Sequence, residues 1–237
     1  MDKLRLRFEK TGRAVYISHL DLMTTMQRAF SRAGMELKYS EGFNPHPLIS
    51  ILLPLSVGTA SVCELMDFRM RGEPNEELLQ LLPGKLTAVM PEGIRVIEAY
   101  PAERKGAQLK WLDVQGSLEF DHGAPEPQEL QAFFAQKELI IERKTKRGLG
   151  LSDIRPAIDR IDFAAGDPGG KEKPIGQNQT GEEPAVIILR ARISAQEPTL
   201  NPDHLISALR QLRPELAPDF AEFTRLETYD AEHNIFR

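Results

Sequence analysis

Two short stretches of the chain hold the residue types that do chemistry near neutral pH. The first is Tyr16-Ile17-Ser18-His19-Leu20-Asp21-Leu22, and the second is Tyr39-Ser40-Glu41-Gly42-Phe43-Asn44-Pro45-His46-Pro47. An imidazole titrates close to pH 7, so His19 and His46, brought together with Asp21, could supply general acid–base catalysis. Two imidazoles and a carboxylate could also hold a divalent ion, but no ligand pair here has helical i, i+4 spacing, and no metal ligand is assigned. Each stretch also has a purely local reading. Ser18 followed three residues later by Asp21 is a helix N-cap with an acid in the positive first turn. Gly42, Pro45 and Pro47 restrict the second stretch and hold Ser40, Asn44 and His46 at low entropic cost, as a recognition loop requires. Whether the two stretches meet is a tertiary question.

A second constellation is basic. Arg143, Lys144, Lys146 and Arg147 crowd five positions before Gly148-Leu149-Gly150, with Arg155 just beyond. Such a run is either a solvated hairpin tip or a grip for phosphates. Arg28 and Arg32, on the helix that starts at His19, extend the possible basic surface. The candidate binding residues are therefore Ser18, His19, Asp21, Arg28, Arg32, Ser40, Asn44, His46, Arg143, Lys144, Lys146, Arg147 and Arg155. The catalytic candidates are His19 and His46.

Composition excludes several classes. Cys63 is the only cysteine, so no intrachain disulfide is possible and no cluster of thiolates can hold iron and sulfur. Set in the apolar run Val62–Phe68, Cys63 reads as a buried strand residue. The chain carries 30 Lys+Arg against 35 Asp+Glu, which argues against indiscriminate nucleic-acid binding while permitting a local basic face. No apolar run is long enough to span a bilayer, and the first residues alternate charge with apolar side chains, so the expectation is a cytoplasmic protein without membrane contact.

The elements that must position these residues read as two halves of one order. Strict alternation predicts a strand at Lys3–Phe8, and apolar spacing of three and four predicts a helix from His19 to Ala33, stopped by Gly34. Strands follow at about 35–39, 48–53 and 62–70, then a helix over 75–82 and a strand over 94–100. The second half predicts strand 109–120, helix 126–136, strands 139–144, 151–158 and 186–194, a helix from Asn201 to Leu212, and strand 223–229. Both halves are β-α-β-β-β-α-β. The expected class is α+β, with two tandem ferredoxin-like lobes over 1–103 and 107–237, joined near Glu103–Gly106. Residues 164–184, rich in Gly and Pro and poor in large apolar side chains, should be a mobile insertion in the second lobe.

Ser18-His19-Leu20-Asp21, Arg28-Ala29-Phe30-Ser31-Arg32-Ala33-Gly34, and the string Ser40 to Pro47 with Ile49-Ser50 resemble the bacterial radical-SAM-linked proteins. Leu53-Pro54-Leu55, Gly58 and Asp153-Ile154-Arg155-Pro156 fit the same pattern. The resemblance is to a domain of unknown function, found alone or fused to the C-terminus of a cobalamin-type radical SAM protein. It implies an accessory protein, not catalytic by itself, whose partner carries the iron–sulfur cluster and S-adenosylmethionine. This chain would need no cofactor. Tandem ferredoxin-like domains are also the architecture of the CRISPR RNA-processing endonucleases, which makes RNA a candidate partner by analogy of fold. The expected function is a binding module that presents RNA, or an RNA-derived substrate, to a separate radical SAM enzyme. The alternatives are an RNA-cleaving or RNA-modifying enzyme using His19 and His46, and a protein–protein adaptor for the radical enzyme.

Overall fold

The computed structural model describes residues 3–72, 74–145, 148–166 and 184–237. Within these it is a mixed α+β protein of ten strands, mostly antiparallel, and four α-helices. It divides into two compact units, residues 1–109 with 224–237, and residues 110–223.

In the first unit, β1 (Leu4–Lys10) lies between β3 (Ala60–Phe68) and β4 (Ile94–Pro101), antiparallel to both. β2 (Ile49–Ile51) pairs antiparallel with the end of β3. Helix α1 (His19–Arg32) forms as its caps dictate. The Ser18 hydroxyl accepts the Asp21 amide at 3.2 Å, and the helix is followed by Gly34 at φ +70°. Leu22, Met26, Ala29 and Phe30 make the buried face of α1 and pack with the inward residues of β1, Leu4, Leu6 and Phe8.

Helix α2 (Glu76–Thr87) outruns its expected end because Leu82 and Leu86 are both fully buried, and that burial carries the helix through Pro83. The strand expected at 35–39 does not form. Leu37 bridges Met70 while Tyr39 bridges Pro47, so successive residues face different partners, and Pro47 has no N–H with which to extend a ladder.

Strand β1 also departs from a half-buried pattern, since Arg5 on its outer face is 0% exposed. Its Nε donates to Asp67 at 2.6 Å, its Nη2 donates to the Arg104 carbonyl at 2.8 Å, and the Phe236 ring lies 5.0 Å from its guanidinium. Residues distant in sequence therefore cover that face.

The second unit holds β5 (Trp111–Phe120), α3 (Pro127–Phe134), β6 (Ile140–Thr145), β7 (Gly148–Asp153), β8 (Ile158–Ala165), β9 (Ala185–Ser194) and α4 (Asp203–Leu212). β5 and β9 pair antiparallel along their whole length, and β8 pairs with the other side of β9. β6 and β7 form a separate hairpin. The single strand expected over 151–158 is two, because Pro156 lies in a 3-10 turn (Arg155–Ala157) between β7 and β8. Of the expected insertion at 164–184, Ala164 and Ala165 belong to β8, and 167–183 lie outside the described residues. The last strand, β10 (Phe220–Tyr229), starts in the second unit and finishes in the first. There Thr224 and Arg225 pair parallel with Ala60 and Ser61, and Arg225 donates to the buried Glu64 carboxylate at 2.7 Å. No described helix is long and apolar enough to cross a membrane.

Candidate functional site

The loop between α1 and β2 is closed at its base by three contacts between Ser40 and His46. The Ser40 amide donates to the His46 carbonyl at 2.8 Å, the His46 amide donates to Ser40 Oγ at 3.1 Å, and Ser40 Oγ lies 2.9 Å from His46 Nδ1. The Tyr39–Pro47 bridge sits just outside this clasp, and Gly42 at φ +119° makes a turn that L side chains rarely adopt. With the ends tied and the middle restricted, the side chains between them are displayed outward. Asn44 and His46 are exposed, and His46 Nε2 has no partner among the described residues. Phe43 is wholly exposed, at 108% of its reference surface.

Three clefts surround this loop. The largest, about 480 Å³, is lined by Lys38, Tyr39, Ser40, Pro45, Met70, Arg71 and Gly72. A second, about 450 Å³, shares Tyr39 and Arg71 with it and extends along the end of α1 past Gln27, Ser31 and Glu36. A third, about 300 Å³, holds His46 with Lys3, Asp67 and Arg69. In that third cleft the Asp67 carboxylate is engaged by Arg5 and Lys3, which leaves it poorly placed for acid–base work.

The other candidate histidine, His19, is elsewhere. Strand β1 runs from Leu4, which pairs with Phe68 beside Ile49, to Lys10, which pairs with Ser61. The loop adjoins the Leu4 end, whereas α1 starts beyond the Lys10 end, where Val15 accepts the Gly58 amide. His19 and His46 are thus separated by the length of a 14-residue helix, roughly 20 Å. His19 Nδ1 is buried without a hydrogen-bond partner among the described residues, and Ser18 donates its hydroxyl to Asp21 at 2.7 Å in a local cap.

The expected cations are likewise distributed. Arg28 is exposed on α1, and Arg32 donates to the Val89 carbonyl at 2.7 Å. Arg143 donates to Thr199 O at 3.3 Å, and Lys144 is exposed opposite Leu149 on the β6–β7 hairpin. Burial, and then the charge of Arg143, hold His204 below the usual histidine range. Lys146 and Arg147 lie outside the described residues. The Asp153–Pro156 motif is architectural. Asp153 Oδ1 accepts the Leu139 and Arg155 amides, Ile154 is buried, and Arg155 donates to the Ile158 carbonyl at 2.7 Å.

Cys63 is buried in β3, where loss of solvation, followed by the nearby Glu64 charge, pushes its thiol up to about 12. Among the described residues no three His, Cys, Asp or Glu side chains are grouped to hold a metal ion.

Tyr39, Phe43 and Arg71 were not singled out by sequence. Phe43 carried a usable signal, an aromatic residue between Gly42 and Asn44 with no apolar neighbour to share a core. Arg71 carried none, because the bridges that bring Met70 and Tyr39 into place are tertiary.

What fold and site define is a mixed α+β protein with a braced, exposed loop among surface clefts. The chain belongs to the bacterial family described as "Uncharacterized protein conserved in bacteria (DUF2344)", which matches residues 3–202. No curated protein matches it.

Proposed function

We propose that this chain is an accessory binding module that presents RNA, or an RNA-derived substrate, to a separate radical SAM enzyme in the cytoplasm. The observation that carries this reading is the Ser40–His46 clasp, which holds Phe43, Asn44 and His46 outward on a restricted backbone beside clefts lined by Lys38 and Arg71. Preorganised exposed side chains of mixed aromatic, polar and cationic character suit recognition.

The scaffold reading is two tandem ferredoxin-like lobes. In the first unit the order β-α-β-β-α-β with strands arranged β4-β1-β3-β2 supports it. The same order recurs as β10-β5-β9-β8 around α3 and α4, with the β6–β7 hairpin inserted. The partner enzyme would carry the iron–sulfur cluster and S-adenosylmethionine. An enzyme acting through His19 and His46 together is disfavoured by the length of α1 between them.

Affinity purification of the protein from its native cells, with RNA and protein partners identified, tests this reading. The wild type is expected to retain both RNA and a radical SAM enzyme. The Asn44→Ala, His46→Ala variant is expected to lose the RNA while its unfolding free energy moves by only about 1 kcal/mol or less, because both side chains are exposed. The enzyme without RNA would replace this reading with that of an adaptor.

A further inference from the structure

We infer that the loop end of the first unit binds unpaired nucleotides of a single strand, with Phe43 and Tyr39 receiving bases and Arg71 receiving an adjoining phosphate. This rests on the RNA-binding reading and specifies it as single-stranded.

The argument starts from Phe43. A phenyl ring left wholly in water forgoes the largest gain that folding offers such a side chain. In a slack loop such a ring could fold back onto the protein. Here the Ser40–His46 clasp, the Gly42 turn and the prolines restrict that escape. Four residues earlier in the same loop, Tyr39 is half exposed and lines two clefts at once, sharing both with Arg71. Clefts of about 480 and 450 Å³ therefore flank one Tyr–Arg pair.

Arg71 is held by its backbone, its amide donating to the Glu36 carbonyl at 2.9 Å. Among the described residues its guanidinium has only a 3.5 Å contact with the Glu36 carboxylate, both side chains lying largely in solvent. A pair so exposed is worth little and is readily exchanged for a phosphate. Lys38 lines the larger cleft and adds to the positive side.

Aromatic rings that offer a face, with a guanidinium within reach, recognise bases that are free to unstack, and a duplex withholds them. A protein partner could also cover Phe43. Arg71 in both clefts and Lys38 in the larger one favour an anionic polymer, and the experiment separates the two.

The probes are a fluorescent single-stranded RNA of mixed sequence and the same RNA annealed to its complement, titrated with the intact protein. Binding of the single strand over the duplex is expected. Phe43→Ala should weaken single-strand binding roughly five- to 150-fold, the loss of one base stack. Arg71→Gln should weaken it and reduce the slope of log K against log salt by about 0.7, one phosphate on a single strand. Phe43→Leu, which keeps bulk without an aromatic face, should behave like Phe43→Ala, and both remain folded because the site is exposed.

Four results would overturn the inference. If the wild type binds no RNA, this inference and the RNA-presenting function fall together. If RNA binds but Phe43→Ala leaves affinity unchanged, the inference alone falls. Equal or tighter binding of the duplex overturns it as well. Unchanged RNA affinity with loss of the co-purifying enzyme assigns Phe43 to a protein interface instead.

Discussion

Removing the Asp67 carboxylate should be far more damaging than removing the whole ion pair it belongs to. Arg5 is fully buried and reaches Asp67 through Nε at 2.6 Å and Nη2 at 3.3 Å, while its Nη1 has no partner among the described residues. Asp67→Ala therefore leaves a guanidinium without its counter-charge in the interior, which costs about 3–5 kcal/mol. Arg5→Met leaves Asp67 with Lys3, half of whose side chain is in solvent, and should cost a similar or slightly smaller amount.

The pair Arg5→Met, Asp67→Leu strands no charge. Its losses are the hydrogen bond to the Arg104 carbonyl, about 1–3 kcal/mol for an acceptor left unsatisfied, and the contact of Arg5 with the Phe236 ring. Arg104, 4.7 Å from the same ring, retains its own contact. The double variant should thus lose about 1–3 kcal/mol, against the roughly 6–10 kcal/mol that additive singles would predict. Urea unfolding followed by far-ultraviolet circular dichroism measures this, with amide hydrogen exchange in β1 and β3 as the local probe. Trp111, the only tryptophan, lies in the second unit, so its fluorescence is the wrong reporter. A loss below about 1 kcal/mol for Asp67→Ala, or additivity of the two singles, would refute the account of Arg5 as a charge buried through its partner.

Gly93→Ala should destabilise the first unit by roughly 2–4 kcal/mol, read as a lower urea midpoint. Gly93 sits at φ +88°, and a Cβ there would strike the Thr11 carbonyl and approach Ala14 Cβ at 2.9 Å; a midpoint unchanged from wild type would sink this. The acid limb of stability should depend on Arg237. Burial pushes Glu227 up, but hydrogen bonds from Arg237 and the Thr228 amide outweigh it, and the carboxyl ends below the usual glutamate range. A depressed folded value means the stabilisation is present above the ordinary glutamate pKa and is lost as pH falls through the folded one. Arg237→Gln should therefore lower stability at neutral pH and flatten its decline below about pH 5, as pH-dependent urea midpoints would show. An equally steep decline would place the acid sensitivity elsewhere.

Much of the local structure was legible because it obeys local physics. Ser18 and Asp21 announced the start of α1 and Gly34 its end, since a helix terminus needs a side-chain acceptor at one end and a permissive φ at the other. The alternation in β1 correctly assigned Leu4, Leu6 and Phe8 to the core. The turn at Gly42 was readable from the glycine itself, since its φ of +119° suits few other residues. What sequence could not decide was everything that depends on which residues meet across long separations. Whether His19 faced His46 turned on the direction in which α1 returns along the sheet, and hydrophobic periodicity carries no sign for that direction. The burial of Arg5 depended on Asp67, Arg104 and Phe236, three positions remote in the chain. The strand expected over 35–39 failed for the same reason, because a ladder needs one continuous partner, and Leu37 and Tyr39 found two. Arg71 became part of the candidate site only when tertiary bridges set it beside Tyr39. Local sequence acts through bonds a few residues long, whereas a site is defined by convergence, which only the packed chain decides.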